Sequence, residues 1–256
     1  MKPFDSQKTV ENLTVFLKTT FKKVGFSKAV IGVSGGVDSA AACVLCIRAL
    51  GAVNVYPVLM PYGILNTRGT LDAMEFLQSH KIPLKNILRL DIKPAADMLT
   101  KNLWMPDNTR RGNIMARMRM IVLFDTAKKL PGLVVGTENR SEHLLGYYTR
   151  FGDVASDIEP LRHLYKTQVL ELASHLGVGE NILKKPPSAG LWDSQTDEGE
   201  FGFTYKDADE ILYLMFDANK TPEEIVKQGH DKQIVDLVVK RVKDNEFKHD
   251  LPYTIR

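Results

Sequence analysis

Short apolar runs that end in glycine or proline alternate along this chain with longer segments whose apolar residues recur every three or four positions. Residues 29–33, 53–60, 86–92 and 133–135 follow the first pattern and read as strands. Residues 37–50, 67–80, 114–129 and 166–176 follow the second and read as helices. In 67–80, Leu71, Met74, Phe76 and Leu77 supply the apolar face. Strands alternating with helices predict parallel pairing through crossover helices, hence an α/β fold with a doubly wound parallel sheet. Beyond Pro160 the strand pattern stops, and helices at 206–216, 222–228 and 232–243 make the C-terminal part helical. Thr221 before Pro222 is a good N-cap with proline at the first helical position. Residues 184–202, with Pro186, Pro187, Gly190, Gly199 and Gly202, lack any period and read as a functional loop or as disorder. No repeat or linker interrupts the chain, so one domain over residues 1–256 is the simplest expectation.

Composition narrows the field without choosing a function. The 256 residues are 44% hydrophobic and 25% charged, with net charge +3, an ordinary globular mixture. The 34 basic residues are spread along the chain, which gives no support for a nucleic-acid partner. The N-terminus lacks the apolar stretch of a secretory signal. The richest apolar region, 29–60, is broken by glycines, Asp38 and Arg48, so no membrane span is expected. Two cysteines suggest a reducing compartment, the cytoplasm. Cys43 and Cys46 form a C-x-x-C inside a helix, with no second Cys/His pair nearby, and read as core thiols rather than a metal or redox pair.

The most informative stretch follows the first strand: Gly32, Val33, Ser34, Gly35, Gly36, Val37, Asp38 and Ser39. A strand, a glycine turn and a helix start aim free backbone N–H groups at an anion. Neither the Walker A lysine nor G-x-G-x-x-G is present. Asp38 is the odd member, because a carboxylate beside phosphates repels them unless a divalent cation lies between. It reads as a magnesium ligand, with simple helix capping as the blander alternative. Thr137 follows the fourth strand and should lie on the same rim. Glu142, about one turn into the next helix, could give the cation a second acid or be an ordinary solvated glutamate.

The Ser34-Gly35-Gly36-Val37-Asp38-Ser39 loop is similar to that of the N-type ATP pyrophosphatases, whose fold is of the adenine nucleotide alpha hydrolase type. Three further blocks resemble the NAD synthetase family within that class. They are Gly112-Asn113 with Arg117 and Arg119; Gly136-Thr137 with Glu142, continuing through Gly146-Tyr147-Tyr148-Thr149-Arg150-Phe151-Gly152-Asp153; and Lys185-Pro186-Pro187-Ser188-Ala189-Gly190-Leu191-Trp192 with Gln195-Thr196-Asp197-Glu198. The resemblance runs from about Ala29 to Pro252. It implies a ligase that amidates deamido-NAD (nicotinate adenine dinucleotide) with ammonia through an acyl-adenylate, splitting ATP to AMP and pyrophosphate.

The resemblance also implies roles. Gly32 to Ser39 cradle ATP, with Thr137, Lys166 and Ser188 also contacting it or the departing phosphate. Asp38 and Glu142 bind Mg2+. Asn113, Arg117, Arg150, Asp157 and Lys248 contact deamido-NAD, and Asp153 lies near the ammonia-attack region as a catalytic candidate beside Lys166. Where the family commonly has His-Lys before Leu-Pro or Val-Pro, this chain has Phe247-Lys248 before Leu251-Pro252, so only the lysine transfers. Leu59, Met60 and Leu65 replace polar adenine contacts of some members, leaving backbone or apolar contacts there. No length is left over for a glutamine-hydrolysing domain, so free ammonia is the expected nitrogen source. The family implies a homodimer. The helix 114–123, with Met115, Met118, Met120 and Ile121, is either its interface or an ordinary core helix.

Overall fold

The computed structural model describes residues 3–104 and 107–249. Leu251 and Pro252 of the C-terminal resemblance, and Met1 and Lys2 at the start, lie outside the described residues.

Four parallel strands form the sheet in the order β3-β2-β1-β4, with β1 Lys28–Gly32, β2 Val55–Leu59, β3 Leu88–Arg89 and β4 Gly132–Val135. Alternate residues of β1 face opposite sides, as the two-residue period of a strand requires. Ala29 and Ile31 join the main core with helix α1 (Ser6–Val24) and helix α2 (Val37–Leu50). Val30 faces the other way, onto Val58, Ala127 and Val134. Burial on both faces explains why the strands read as unbroken apolar runs.

From β1 the chain winds outward through α2 to β2, and through α3 (Thr67–Ser79) to β3. It then returns through α4 (Lys93–Asn102) and α5 (Asn108–Lys129) to β4, on the far side of β1. The winding direction therefore reverses between β1 and β4, opening a crevice beyond their C-terminal ends, where ligands bind in such sheets. Past β4, the short helix α6 (Arg140–Leu144) and then α7 (Lys166–His175) pack back toward this rim. The chain continues with α8 (Glu180–Leu183) and α9 (Asp197–Phe201). The helices α10 (Tyr205–Phe216), α11 (Pro222–Lys227) and α12 (Lys232–Asn245) gather around a second apolar cluster that includes Leu145, Tyr165, Phe201, Ile211 and Val238.

Helices 37–50, 67–80 and 166–176 form as read, to within one residue. Four features differ. Helix α1 was not anticipated, although Val10, Leu13, Leu17 and Phe21 are buried at helical spacing and Asp5 accepts the Lys8 N–H as its cap. The third strand shrinks to two residues because only Val58 and Leu59 pair with it. Helix α5 starts at Asn108 rather than Ile114, where Asp107 accepts the Arg110 N–H. The segment after α8 ends in the unpredicted helix α9.

On α5, Met115 is fully buried, Met118 packs against the same cluster, and Ile121 stands 54% exposed. Met115 and Met118 thus belong to the core, whereas Met120 lines the cleft. Cys43 and Cys46 are unpaired and fully buried. Burial pushes both thiols up, Cys46 to about 12. No helix among the described residues is long and apolar enough to cross a membrane. Because thiolate is the reactive form, neither cysteine should label with a thiol-specific disulfide reagent in the folded protein. Both should label once urea unfolds it, as read by released chromophore.

Candidate active site

Gly36 is the N-cap of helix α2, which has no side-chain cap. Its first-turn N–H groups lack intrahelical partners and face the crevice from the loop 32–39. The loop is shaped by its own serines. Ser34 Oγ accepts the Gly36 N–H at 3.2 Å, and the Ser39 hydroxyl donates to the Gly36 carbonyl at 3.0 Å. Gly35 sits at φ +80°, and a Cβ there would lie 2.1 Å from the Gly69 carbonyl of α3. A side chain is excluded twice over, by backbone conformation and by contact.

Asp38 occupies the first turn of α2. Its carboxylate accepts the Asn139 side-chain N–H at 2.9 Å and the Lys166 ammonium at 2.5 Å. Lys166 also donates to Glu142 Oε1 at 3.3 Å. Glu142 in turn accepts the Asn139 backbone N–H, closing the capping box of α6. Residues far apart in sequence are thus fixed on one point. Lys166 begins α7, and its backbone N–H donates to Ser141 Oγ at 2.9 Å. Ser141 donates to the buried Asp209 of α10, which also accepts the Thr167 N–H at 2.8 Å. The Lys166 side chain is only 3% exposed. Burial opposes its charge, but Asp38 and Glu142 outweigh burial and hold the ammonium above its ordinary pKa. Burial pushes Glu142 above the usual carboxylate range.

All eight residues of the loop line one cleft of about 840 Å³, together with Thr137, Glu142, Lys166 and Ser188. At its other end stand Asn113, Arg117, Arg150, Asp153 and Lys248. Arg117 donates to the Arg150 carbonyl at 3.2 Å, Asn113 accepts the Thr149 hydroxyl at 2.7 Å, and Lys248 donates to the Gly146 carbonyl at 2.5 Å. Asp153 accepts the Thr149 N–H at 2.9 Å and is exposed. Leu59, Met60 and Leu65 form an apolar flank with Val33 and Leu123, as their sequence suggests. Asp157 is not brought in. Its carboxylate accepts the Val134 N–H at 2.8 Å beside β4, and it does not line the cleft.

Sequence reasoning missed Asn139, which orients Asp38, and Arg241, which reaches the cleft from α12. The capping position of Asn139 was a readable signal; Arg241 had none. Lys185 was read only as part of a loop, yet its ammonium lies 2.7 Å from the Gly35 carbonyl.

The chain matches the NAD synthase family model over residues 9–252. It belongs to the NAD synthase family. One relative, the NH(3)-dependent NAD(+) synthetase of Fusobacterium nucleatum, is 44% identical over 246 residues, covering 96% of this chain and 94% of the relative. The protein of the same name from Thermococcus kodakarensis is 42% identical over 254 residues and 98% of both chains. Among solved structures, NMN synthetase from Francisella tularensis superimposes with TM-score 0.86 at 30% identity, covering 99% of this chain and all of the other. The NH3-dependent NAD synthetase from Campylobacter jejuni, in complex with nitrate, gives 0.84 at 31% with the same coverage.

In this NAD synthase family member the turn after β4 carries a buried glutamate, Glu138, beside a half-buried one, Glu159. Glu138 accepts from Arg162, and its backbone N–H donates to Glu159 at 3.2 Å. Burial pushes Glu138 to about 9 and Glu159 to about 7. Between the ordinary value of 4.5 and about 7, folded Glu159 retains a proton that the unfolded chain releases. Stability should therefore fall as pH rises through that window, and the fall should be smaller in Glu159→Gln, as read by urea unfolding. Gly35→Ala should cost about 1–3 kcal/mol of stability through backbone strain alone.

Proposed function

We propose that this chain amidates deamido-NAD with ammonia at the expense of ATP, releasing NAD, AMP and pyrophosphate. The observation that carries the reading is a single cleft. One end offers uncapped helix N–H groups with the Asp38–Lys166–Glu142 cluster, and the other offers Asn113, Arg117, Arg150 and Lys248. A triphosphate suits the first end, and a dinucleotide bearing a carboxylate suits the second. The family and the names of the relatives agree with this ligase chemistry in NAD biosynthesis.

A carboxylate does not condense with ammonia at useful rates, because its oxygen leaves poorly. In the first step a carboxylate oxygen of the substrate attacks the α-phosphorus of ATP, and the bond to the β-phosphate breaks. The free N–H groups of the first helical turn, Val37 to Ser39, hold the departing phosphates, and Lys166 offsets their growing charge. Ammonia then attacks the adenylated carbonyl, and AMP leaves with the former carboxylate oxygen. Asp153, exposed at the far end of the cleft, is placed to take the proton that ammonium must lose before attack. Ser188 and Thr137 line the same cleft and bring hydroxyls to the phosphate end. Holding both reactants in line matters as much as charge.

The residues fit magnesium. Two hard carboxylates, Asp38 and Glu142, converge from separate elements on one cation position, now taken by the Lys166 ammonium. Among the described residues no group of three His, Cys, Asp or Glu gathers for a metal, so phosphate oxygens and water would complete the shell. Bound there, the ion would neutralise phosphate charge as the α–β bond breaks.

The working unit we propose is a homodimer, with the exposed Met98 and Leu99 of α4 and Ile121 of α5 as candidates for the contact. The cytoplasm is the compartment we propose, given the two reduced thiols.

Pyrophosphate release should require ATP, deamido-NAD and ammonium together, measured with each omitted and with nicotinate mononucleotide in place of the dinucleotide. Release independent of ammonium would overturn the reading. Asp38→Asn should lower kcat by about 100-fold or more and leave the thermal melt within a few degrees of the parent.

A further inference from the structure

We propose that Lys185 is a second cation of the leaving-group end of the cleft, contacting the β- and γ-phosphates of ATP and then the released pyrophosphate. This deepens the reading above and rests on it. Lys185 follows α8 and opens the segment that carries Ser188. Its ammonium is 2.7 Å from the carbonyl of Gly35, at the crest of the phosphate loop, and 2.8 Å from Asp72 Oδ2. The side chain lines the cleft and remains 29% exposed.

The local charge balance favours Lys185 over Lys166 as the group that meets an incoming polyphosphate. Lys166 is shared by two carboxylates, so that cluster carries one net negative charge. Asp72, only 1% exposed, is paired with Arg68 at 3.0 Å as well as with Lys185, so this second cluster carries one net positive charge. Asn181 also donates to Asp72 at 3.2 Å. Lys185 is therefore not consumed in neutralising a buried acid. An ammonium has three donors. The Gly35 carbonyl accepts one, and Asp72 Oδ2 is an ion-pair contact, leaving at least one for a phosphate oxygen.

Its position also removes an obstacle. The Gly35 carbonyl borders the loop that holds phosphates, and an uncovered carbonyl oxygen there would repel an anion. Lys185 covers that oxygen. Two features fix the lysine in place. Ile182 of α8 is buried in the main core, and Pro186 and Pro187 restrict the backbone that follows. The segment reaching over the loop thus delivers a hydroxyl, Ser188, and a cation, Lys185, together.

The test uses the full-length chain with Lys185→Met, Lys185→Arg and the double variant Lys185→Met/Asp72→Asn, which removes the acid left short of a partner. The readouts are product inhibition by magnesium pyrophosphate and by AMP, with KM for ATP and for deamido-NAD. Lys185→Met should weaken pyrophosphate inhibition and raise KM for ATP by about 10- to 100-fold, as loss of a charge-assisted hydrogen bond does. AMP inhibition and KM for deamido-NAD should stay within about twofold, and Lys185→Arg should recover most of the loss. The double variant should show the same pyrophosphate defect with a parental thermal melt. Unchanged pyrophosphate inhibition in Lys185→Met, or AMP inhibition weakened in parallel, would overturn the proposal. If the parent chain shows no ammonium-dependent turnover, the functional reading has failed instead. Calorimetric titration of the same variants with magnesium pyrophosphate then still decides the Lys185 contact.

Discussion

The ammonium of Lys166, lying almost out of solvent between Asp38 and Glu142, is the interaction on which the site depends. Three elements meet there: the first turn of α2, the capped start of α6 and the first residue of α7. Removing Lys166 from this buried set would leave two carboxylates facing each other without a cation, which costs about 3–5 kcal/mol. The surrounding bonds make the arrangement rigid. Asn139 caps α6 and also holds Asp38, and Asp209 ties α10 to both Ser141 and Thr167. The helical C-terminal part is therefore joined to the chemistry by α10, through Asp209.

The sheet supplies the geometry for this charge cluster. Reversal of winding at β1 and β4 leaves their C-terminal ends uncovered side by side, so loops after both strands face one crevice. The loop after β1 brings backbone donors, and the segment after β4 brings Thr137 and Glu142. Helix α5, packed against the sheet face that carries Val30 and Val134, brings Asn113 and Arg117 to the far end. A cleft with donors for phosphate at one end and guanidinium groups at the other follows from that topology.

Much of this was legible because it is local. The Ser34–Ser39 motif declares its backbone through its glycines, and the helix after it through the apolar run from Ala40 to Ile47, with 10 of the helix's 14 residues buried. The strands read correctly where both faces are covered. The edge strand β3 was over-read because its partner offers only two residues, a fact of pairing rather than of composition. Asp157 was placed in the substrate contacts by motif alone, whereas here its carboxylate accepts from β4. Arg241 carried no signal, since its relevance depends on where α12 packs.

The amino-acid sequence by itself determined the alternation of elements, the glycine-rich loop after the first strand and the identity of the acids beside it. These properties come from residue type and spacing within a few positions, where backbone conformation and periodic burial act directly. Only the tertiary structure decided which groups share a point: Lys166 with Asp38 across 128 positions, and Lys185 with Gly35 across 150. Electrostatic balance depends on distance and burial in space, and one-dimensional spacing does not encode either until the sheet has brought its strand ends together.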